Sequence, residues 1–165
     1  MLTLDIKAPA NANSFSFNVY FFSADYSAYV CTNFNDFFVA LLDSAYSTDN
    51  PDFENPFDKN LAVDENGNPV GANLVMSGLF TVCKLPDGEI TDNNKYCEGD
   101  EPLAGTGYES HGATGWLTVK GNIVPGEEFK LRLAIWDSAD HILDSLVLLD
   151  NWKWHKENIK PGTSK

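Results

Sequence analysis

The sequence predicts an all-β fold: an antiparallel two-sheet β-sandwich, jelly-roll-like, with long polar loops. Three observations carry this reading. Apolar residues recur at every second position in several short segments. Gly, Asn, Asp and Pro punctuate those segments at close intervals. No βαβ spacing, internal repeat or heptad pattern occurs, which leaves two packed sheets as the way to bury the alternating faces.

The elements follow in chain order. "SFSFNVYFF" (14–22) places Phe15, Phe17, Val19 and Phe21 on one face of a half-buried strand. "NDFFVALLDSAY" (35–46) fits a short amphipathic helix, but its aromatic and β-branched content favours a strand, "DFFVALLD" (36–43). Further strands are expected at "SGLFTVC" (77–83), "TGWLTVK" (114–120), "EFKLRLAIW" (128–136) and "SLVLLDNW" (145–152). Between them lie polar connections at 47–60, 64–69 and 86–107, and loops of this length are usually functional or tied down by something other than packing. Asn66-Gly67 suits a tight hairpin turn. One domain over 1–165 is expected, with its core at about 14–155 and short flexible tails.

Composition narrows the function classes. Lys and Arg number 11 against 24 Asp and Glu, a net charge of −13, and this field repels phosphate backbones, so nucleic acid is not an expected partner. No apolar run approaches the roughly 18–20 residues of a membrane span. The N-terminus lacks a basic region followed by an apolar one, so any export signal is expected to lie outside this segment. Cys83 and Cys97 bracket the turn-rich stretch "CKLPDGEITDNNKYC". Three cysteines allow three single pairings; a Cys83–Cys97 bridge with Cys31 free and buried is the expectation, and three reduced thiols the alternative. Neither CxxC pairs nor closely spaced histidines suggest zinc.

"AIWDSADHILDSLVLLDNW" (134–152) sets Asp137, Asp140, Asp144 and Asp150 among Trp, Ile and Leu. Continuing the face of Phe129, Leu131, Leu133 and Ile135 by two lands on Asp137, and extending the first strand in phase reaches Asp25. Leu146, Leu148 and Asp150 share one face. Carboxylates drawn towards a low-dielectric interior cost several kcal/mol unless paired or metal-bound. Lys and Arg are scarce here, whereas calcium accepts six to eight hard oxygens with tolerant geometry. The candidate ligands are Asp25, Asn35, Asp36, Asp137, Asp140, Asp144 and Asp150, converging from separated segments, since no EF-hand loop occurs. Each also has a local explanation. Asp36 suits an Asx-turn, Asp140 a turn cap, Asp144 a strand opening, and Asp150 the satisfaction of nearby backbone donors.

The runs "VYFFSADYSAYVCTNFNDFFVALLDS", "GTGYESHGATGWLTV" and "PGEEFKLRLAIWDSADHILDSLVLLDNWKW" resemble the choice-of-anchor family of bacterial surface domains over most of 15–154. The resemblance rests on Ser23, Asp25 and Tyr26, on the Asn35-Asp36 pair before an apolar strand, and on the Asp137 to Asn151 series; Asp25 stands where Glu is frequent in that family. It implies a β-sandwich of exported proteins displayed at the cell surface, and it fixes no binding partner.

Other chemistry is poorly represented. "GTGYESHGATG" lacks the Lys-Ser/Thr of a P-loop, no GxSxG elbow occurs, His111 beside Ser110 reads as an exposed loop histidine rather than a base, and His141 and His155 lack an HxxxH partner. The expectation is a non-enzymatic, calcium-binding extracellular module, secreted or at the cell surface and monomeric in isolation. It would take a glycan or peptide on a cell or matrix surface, with Tyr26, Tyr108, Trp136 and Trp154 as the aromatic platform. The alternatives are a spacer or matrix domain rigidified by calcium, and a carbohydrate-active hydrolase using two of the carboxylates.

Overall fold

A computed structural model describes residues 1–138 and 142–165. Its regular structure is nearly all strand: β1 (Leu2–Lys7), β2 (Ser14–Ser23), β3 (Phe37–Asp43), β4 (Val70–Gly71), β5 (Val82–Cys83), β6 (Gly112–Asn122), β7 (Glu128–Trp136), β8 (Ser145–His155) and β9 (Gly162–Ser164). The described helices are short 3-10 segments. Two antiparallel sheets form. The first has the order β1-β7-β3-β4; the second has β5-β6-β2-β8, with β9 added beside β6.

The expected alternation builds the interface between them. Phe15, Phe17, Val19, Phe21, Leu117 and Val119 from the second sheet meet Phe38, Ala40, Leu42, Phe129, Leu131 and Leu133 from the first in one buried cluster. Phe15 is fully buried in it, stacked on Phe129 at 5.4 Å and on Trp152 at 4.6 Å between ring centroids. These rings contribute both apolar area and offset-stacked geometry.

Four expectations are corrected. Strand β2 is buried on both faces except at the half-buried Asn18: the first sheet covers one face, and a second cluster of Val82, Leu103 and Ala113, with Tyr108 against it, covers Tyr20 and Phe22 on the other. Segment 77–83 contains only the two-residue β5; before it, Ala72–Ser77 forms a 3-10 helix that ends at Gly78 in the left-handed conformation (φ 73°). Cys31 is free as expected, but exposed: it sits in the turn-rich segment after β2, where its N–H donates to Asn73 Oδ1 at 2.7 Å. The inward face of β7 stops at Leu133, for Ile135 is already exposed and Asp137 is half-buried, so the strand runs on past the core.

Strand β8 changes phase within itself. Val147 and Leu149 lie opposite Phe21 and Val19, yet the inward aromatics further along are Trp152 and Trp154. A bulge reconciles the two halves: the register with β2 shifts between Ser16 and Asn18, where Asn151 adopts φ 57°. Leu146, Leu148 and Asp150 do share a face, but it is the outer one.

The long loops are fastened individually. Cys83 and Cys97 are disulfide-bonded with Cα atoms 5.1 Å apart. Buried Asn122 binds two loops at once: its amide nitrogen donates to the carbonyls of Phe53 at 2.7 Å and Ile159 at 2.8 Å, and its Oδ1 accepts from Ile159 N at 3.0 Å. The Asn66-Gly67 turn forms as expected, with Gly67 at φ 82° and Asp64 N donating to Asn68 O at 2.9 Å.

Candidate functional site

Antiparallel pairing brings the early and late acidic segments to one end of the sandwich. Ser23 at the end of β2 lies opposite Ser145 at the start of β8; Phe37 at the start of β3 lies opposite both Trp136 at the end of β7 and Gly71 of β4. The residues just beyond those strand ends are Asp25, Asn35, Asp36, Asp137 and Asp144. Most of the separated acids singled out in the sequence therefore meet at one edge.

Asp36 is the hub. It is buried, its Oδ1 accepts from Ser138 N at 3.2 Å, and its Oδ2 accepts from Ser145 Oγ at 2.9 Å. Its own N–H donates to Oδ2 of Asp25, equally buried, at 2.8 Å. Ser23 Oγ donates to the same oxygen at 3.3 Å and accepts from Asp25 N at 3.1 Å, so the serine and the first acid of the Ser-Ala-Asp segment lock each other. Ser23, Ser138 and Ser145, from separated parts of the chain, are thus joined through the carboxylates of Asp25 and Asp36.

The electrostatics remain uncomfortable. Burial pushes the Asp36 carboxyl above its ordinary range; the hydrogen bonds from Ser145 and Ser138 pull it back, and the charges of Asp25 and Asp137 push it up again. Tyr108 also faces this end. Burial raises its phenol, and Asp144 and Asp36 add to the shift. Beside them Asn35 is buried, with its Oδ1 lacking a hydrogen-bond partner. An orphaned carbonyl oxygen next to crowded carboxylates is an unmet demand for a donor or a cation. Among the described residues, no group of three or more His, Cys, Asp or Glu side chains forms a ready-made metal cluster.

The remaining expected ligands fall elsewhere. Asp150 lies opposite Asn18, five residues along β8 from Ser145, or roughly 17 Å at strand spacing, and its Oδ1 accepts from Asn151 N at 2.6 Å. That is the local backbone role, away from the cluster. Asp140 lies outside the described residues. Of the aromatic platform candidates, Tyr26 is buried against Phe80, with its hydroxyl donating to Asn93 O at 2.9 Å. Trp154 packs edge-on to Phe15 and Phe129. Tyr26 therefore presents no free ring face, Trp154 and Tyr108 are half-buried, and Trp136, beside the acidic end, is 61 % exposed. Sequence reasoning missed Ser138 and Gly71. Their roles depend on strand register, and the nearest signal was Gly71 in an otherwise apolar segment, marking a close backbone approach.

An all-β sandwich whose two halves of sequence are fastened by serines and carboxylates at one edge defines the class: an antiparallel β-sandwich module. The chain matches the family described as Choice-of-anchor L domain over residues 1–153, and it belongs to that family. Choice-of-anchor domains are modules of secreted or surface bacterial proteins. Neither a curated protein nor a solved structure matches the chain. Among the described residues no helix is long and apolar enough to cross a membrane.

Proposed function

We propose that this chain is a non-catalytic, calcium-stabilised binding module of a bacterial surface protein, with calcium at the acidic end of the sandwich. The observation that supports it is the orphaned, buried Oδ1 of Asn35 beside two buried carboxylates, one of them held above its ordinary pKa by burial and like charge. The donor set fits the ion, because carboxylate, amide and backbone oxygens with no thiolate suit calcium. Asp25, Asn35, Asp36, Asp137 and Asp144 would hold it. A dication there neutralises acids that otherwise repel one another.

Thermal unfolding in EDTA, calcium and magnesium tests this. An extracellular-type site with a Kd of about 1 mM gives about 1.4 kcal/mol at about 10 mM calcium by mass action. That corresponds to roughly 3–6 °C for a chain of this size. Magnesium, which demands small octahedral sites, should give much less. Identical melting curves in EDTA and calcium would refute the metal.

A second reading has its own support. The closed hydrogen-bond network of Ser23, Asp25, Asp36, Ser138 and Ser145 suits a rigid spacer that displays other domains. Glycan and peptide arrays separate the two, since capture identifies a binder and stability without capture identifies a spacer.

A further inference from the structure

We infer that the outer face of the second sheet binds a neutral oligosaccharide, with a pyranose ring on Trp116 and sugar hydroxyls along the row Ser164, Thr118, Asn18 and Asp150. The inference rests on the binding-module reading but needs no metal. Strand register builds the row. Thr118 lies opposite Ser164 on β9 and Asn18 on β2, and Asn18 lies opposite Asp150 on β8. Directly opposed residues of antiparallel strands project to the same face, so four polar side chains stand side by side across four strands. At about 4.8 Å per strand the row is roughly 14 Å wide.

Its hydrogen-bonding capacity is only partly used inside the protein. Lys120 Nζ donates to Ser164 Oγ at 2.8 Å, so the serine hydroxyl keeps its own hydrogen to donate. Thr118 Oγ1 donates to Asn18 Oδ1 at 3.4 Å, which leaves the Asn18 amide hydrogens for an incoming acceptor. Asp150 uses Oδ1 on Asn151 N and retains Oδ2 as an acceptor on an exposed side chain. Donors and acceptors thus alternate along one shelf, which is the pattern that sugar hydroxyls, each a donor and an acceptor, can meet.

The next row supplies an apolar surface. Trp116 and Leu148 flank Tyr20 there, and Trp116 is 47 % exposed. Its ring stands at 89° to Tyr20 with centroids 5.3 Å apart, so Tyr20 leaves at least one indole face uncovered. Tyr20 and Phe22 are buried, so the accessible apolar area is little more than one indole and the two leucines Leu146 and Leu148, far short of the roughly 1,000 Å² that a protein interface needs. One flat aromatic face beside a shelf of hydroxyls, an amide and a carboxylate fits a saccharide better than a protein. The net charge of −13 disfavours a polyanionic glycan and points to a neutral one.

Tryptophan fluorescence titrations of the whole chain in EDTA, with hexasaccharides of β-1,4-glucan, β-1,4-mannan, α-1,4-glucan and α-1,6-mannan, test the inference. The expected result is saturable binding of at least one of them, at least tenfold weaker in Trp116→Ala and weaker in Asp150→Ala. Phe57→Ala, a control at a fully exposed loop position, should keep wild-type affinity. Calorimetry repeats the comparison without relying on the indole signal, and the exposed Asp150 variant keeps the test decisive if Trp116→Ala misfolds. No saturable binding across the panel, or undiminished affinity in both variants, overturns the inference. So does self-association that both substitutions abolish, which would make the face a contact between copies. Because EDTA is present throughout, failure of the calcium reading leaves this result unaffected.

Discussion

Replacing Gly71 by Ala tests the geometry of the acidic end without touching a charge. Gly71 is extended (φ −174°), a conformation open to any residue, so the substitution introduces no backbone strain. The effect is steric. A Cβ at Gly71 would stand 2.5 Å from the carbonyl oxygen of Asp36 and 3.3 Å from Asn35 Nδ2. Such contacts essentially never fall below 3.0 Å, so β4 and the Asn35-Asp36 backbone must part by at least 0.5 Å (3.0 − 2.5). A backbone oxygen cannot rotate away as a side chain can. Overpacking of this kind costs about 1–3 kcal/mol, which for a chain of this length lowers Tm by roughly 2–12 °C. Urea denaturation gives the free energy, provided the m-value is unchanged. Gly88→Ala is the control, since its Cβ meets nothing within 4 Å and its φ lies outside the left-handed range. It should be neutral or slightly stabilising through the unfolded state. A Gly71→Ala protein within about 0.5 kcal/mol of wild type, the spread of ordinary surface changes, would refute this picture of β4 pressed against the site. If the Asp36 segment moves as predicted, the calcium-dependent rise in Tm should shrink in the same variant.

Two further outcomes follow from the fastenings of the loops. Reducing Cys83–Cys97 in a Cys31→Ser background, which prevents thiol exchange, releases a bridge of sequence separation 14 and should cost about 3 kcal/mol by loop entropy, read as a lower urea midpoint. Asp64 sets an acid limit. Burial raises its pKa, but hydrogen bonds from the Asn68 side chain, the backbone N–H groups of Asn68 and Asn66, and Ser77 outweigh that and hold it below the ordinary carboxylate range. A depressed folded pKa gives stability that is present above the unfolded value near 4 and lost as pH falls through the folded one. The loss of stability below about pH 4 should therefore be less steep in Asp64→Asn than in wild type, and equal slopes would show that Asp64 does not carry it.

The amino-acid sequence determined the class of fold and much of the inventory of the site. Alternation at Phe15, Phe17, Val19 and Phe21 and at Phe129, Leu131 and Leu133 marks core faces because a strand turns successive side chains to opposite sides, a local rule that needs no knowledge of neighbours. Asn66-Gly67 announced its turn, and the poverty of hydrophobic residues between Cys83 and Cys97 announced the need for a bridge. Tertiary structure decided what depends on registry between distant segments. The acids split into a cluster around Asp36 and a separate Asp150 because β8 pairs with β2 from Ser145 onward and carries Asp150 along its length. The bulge at Asn151 reversed which residues of β8 face inward, sending Trp152 and Trp154 to the core and leaving Leu146 and Leu148 outside. The outer side of β2 became buried at Tyr20 and Phe22 because the segment carrying Leu103 folded back over it. Single-segment periodicity encodes which side chains share a face; which side of the sheet that face becomes, and what lies across from it, is fixed when other strands and loops dock against it.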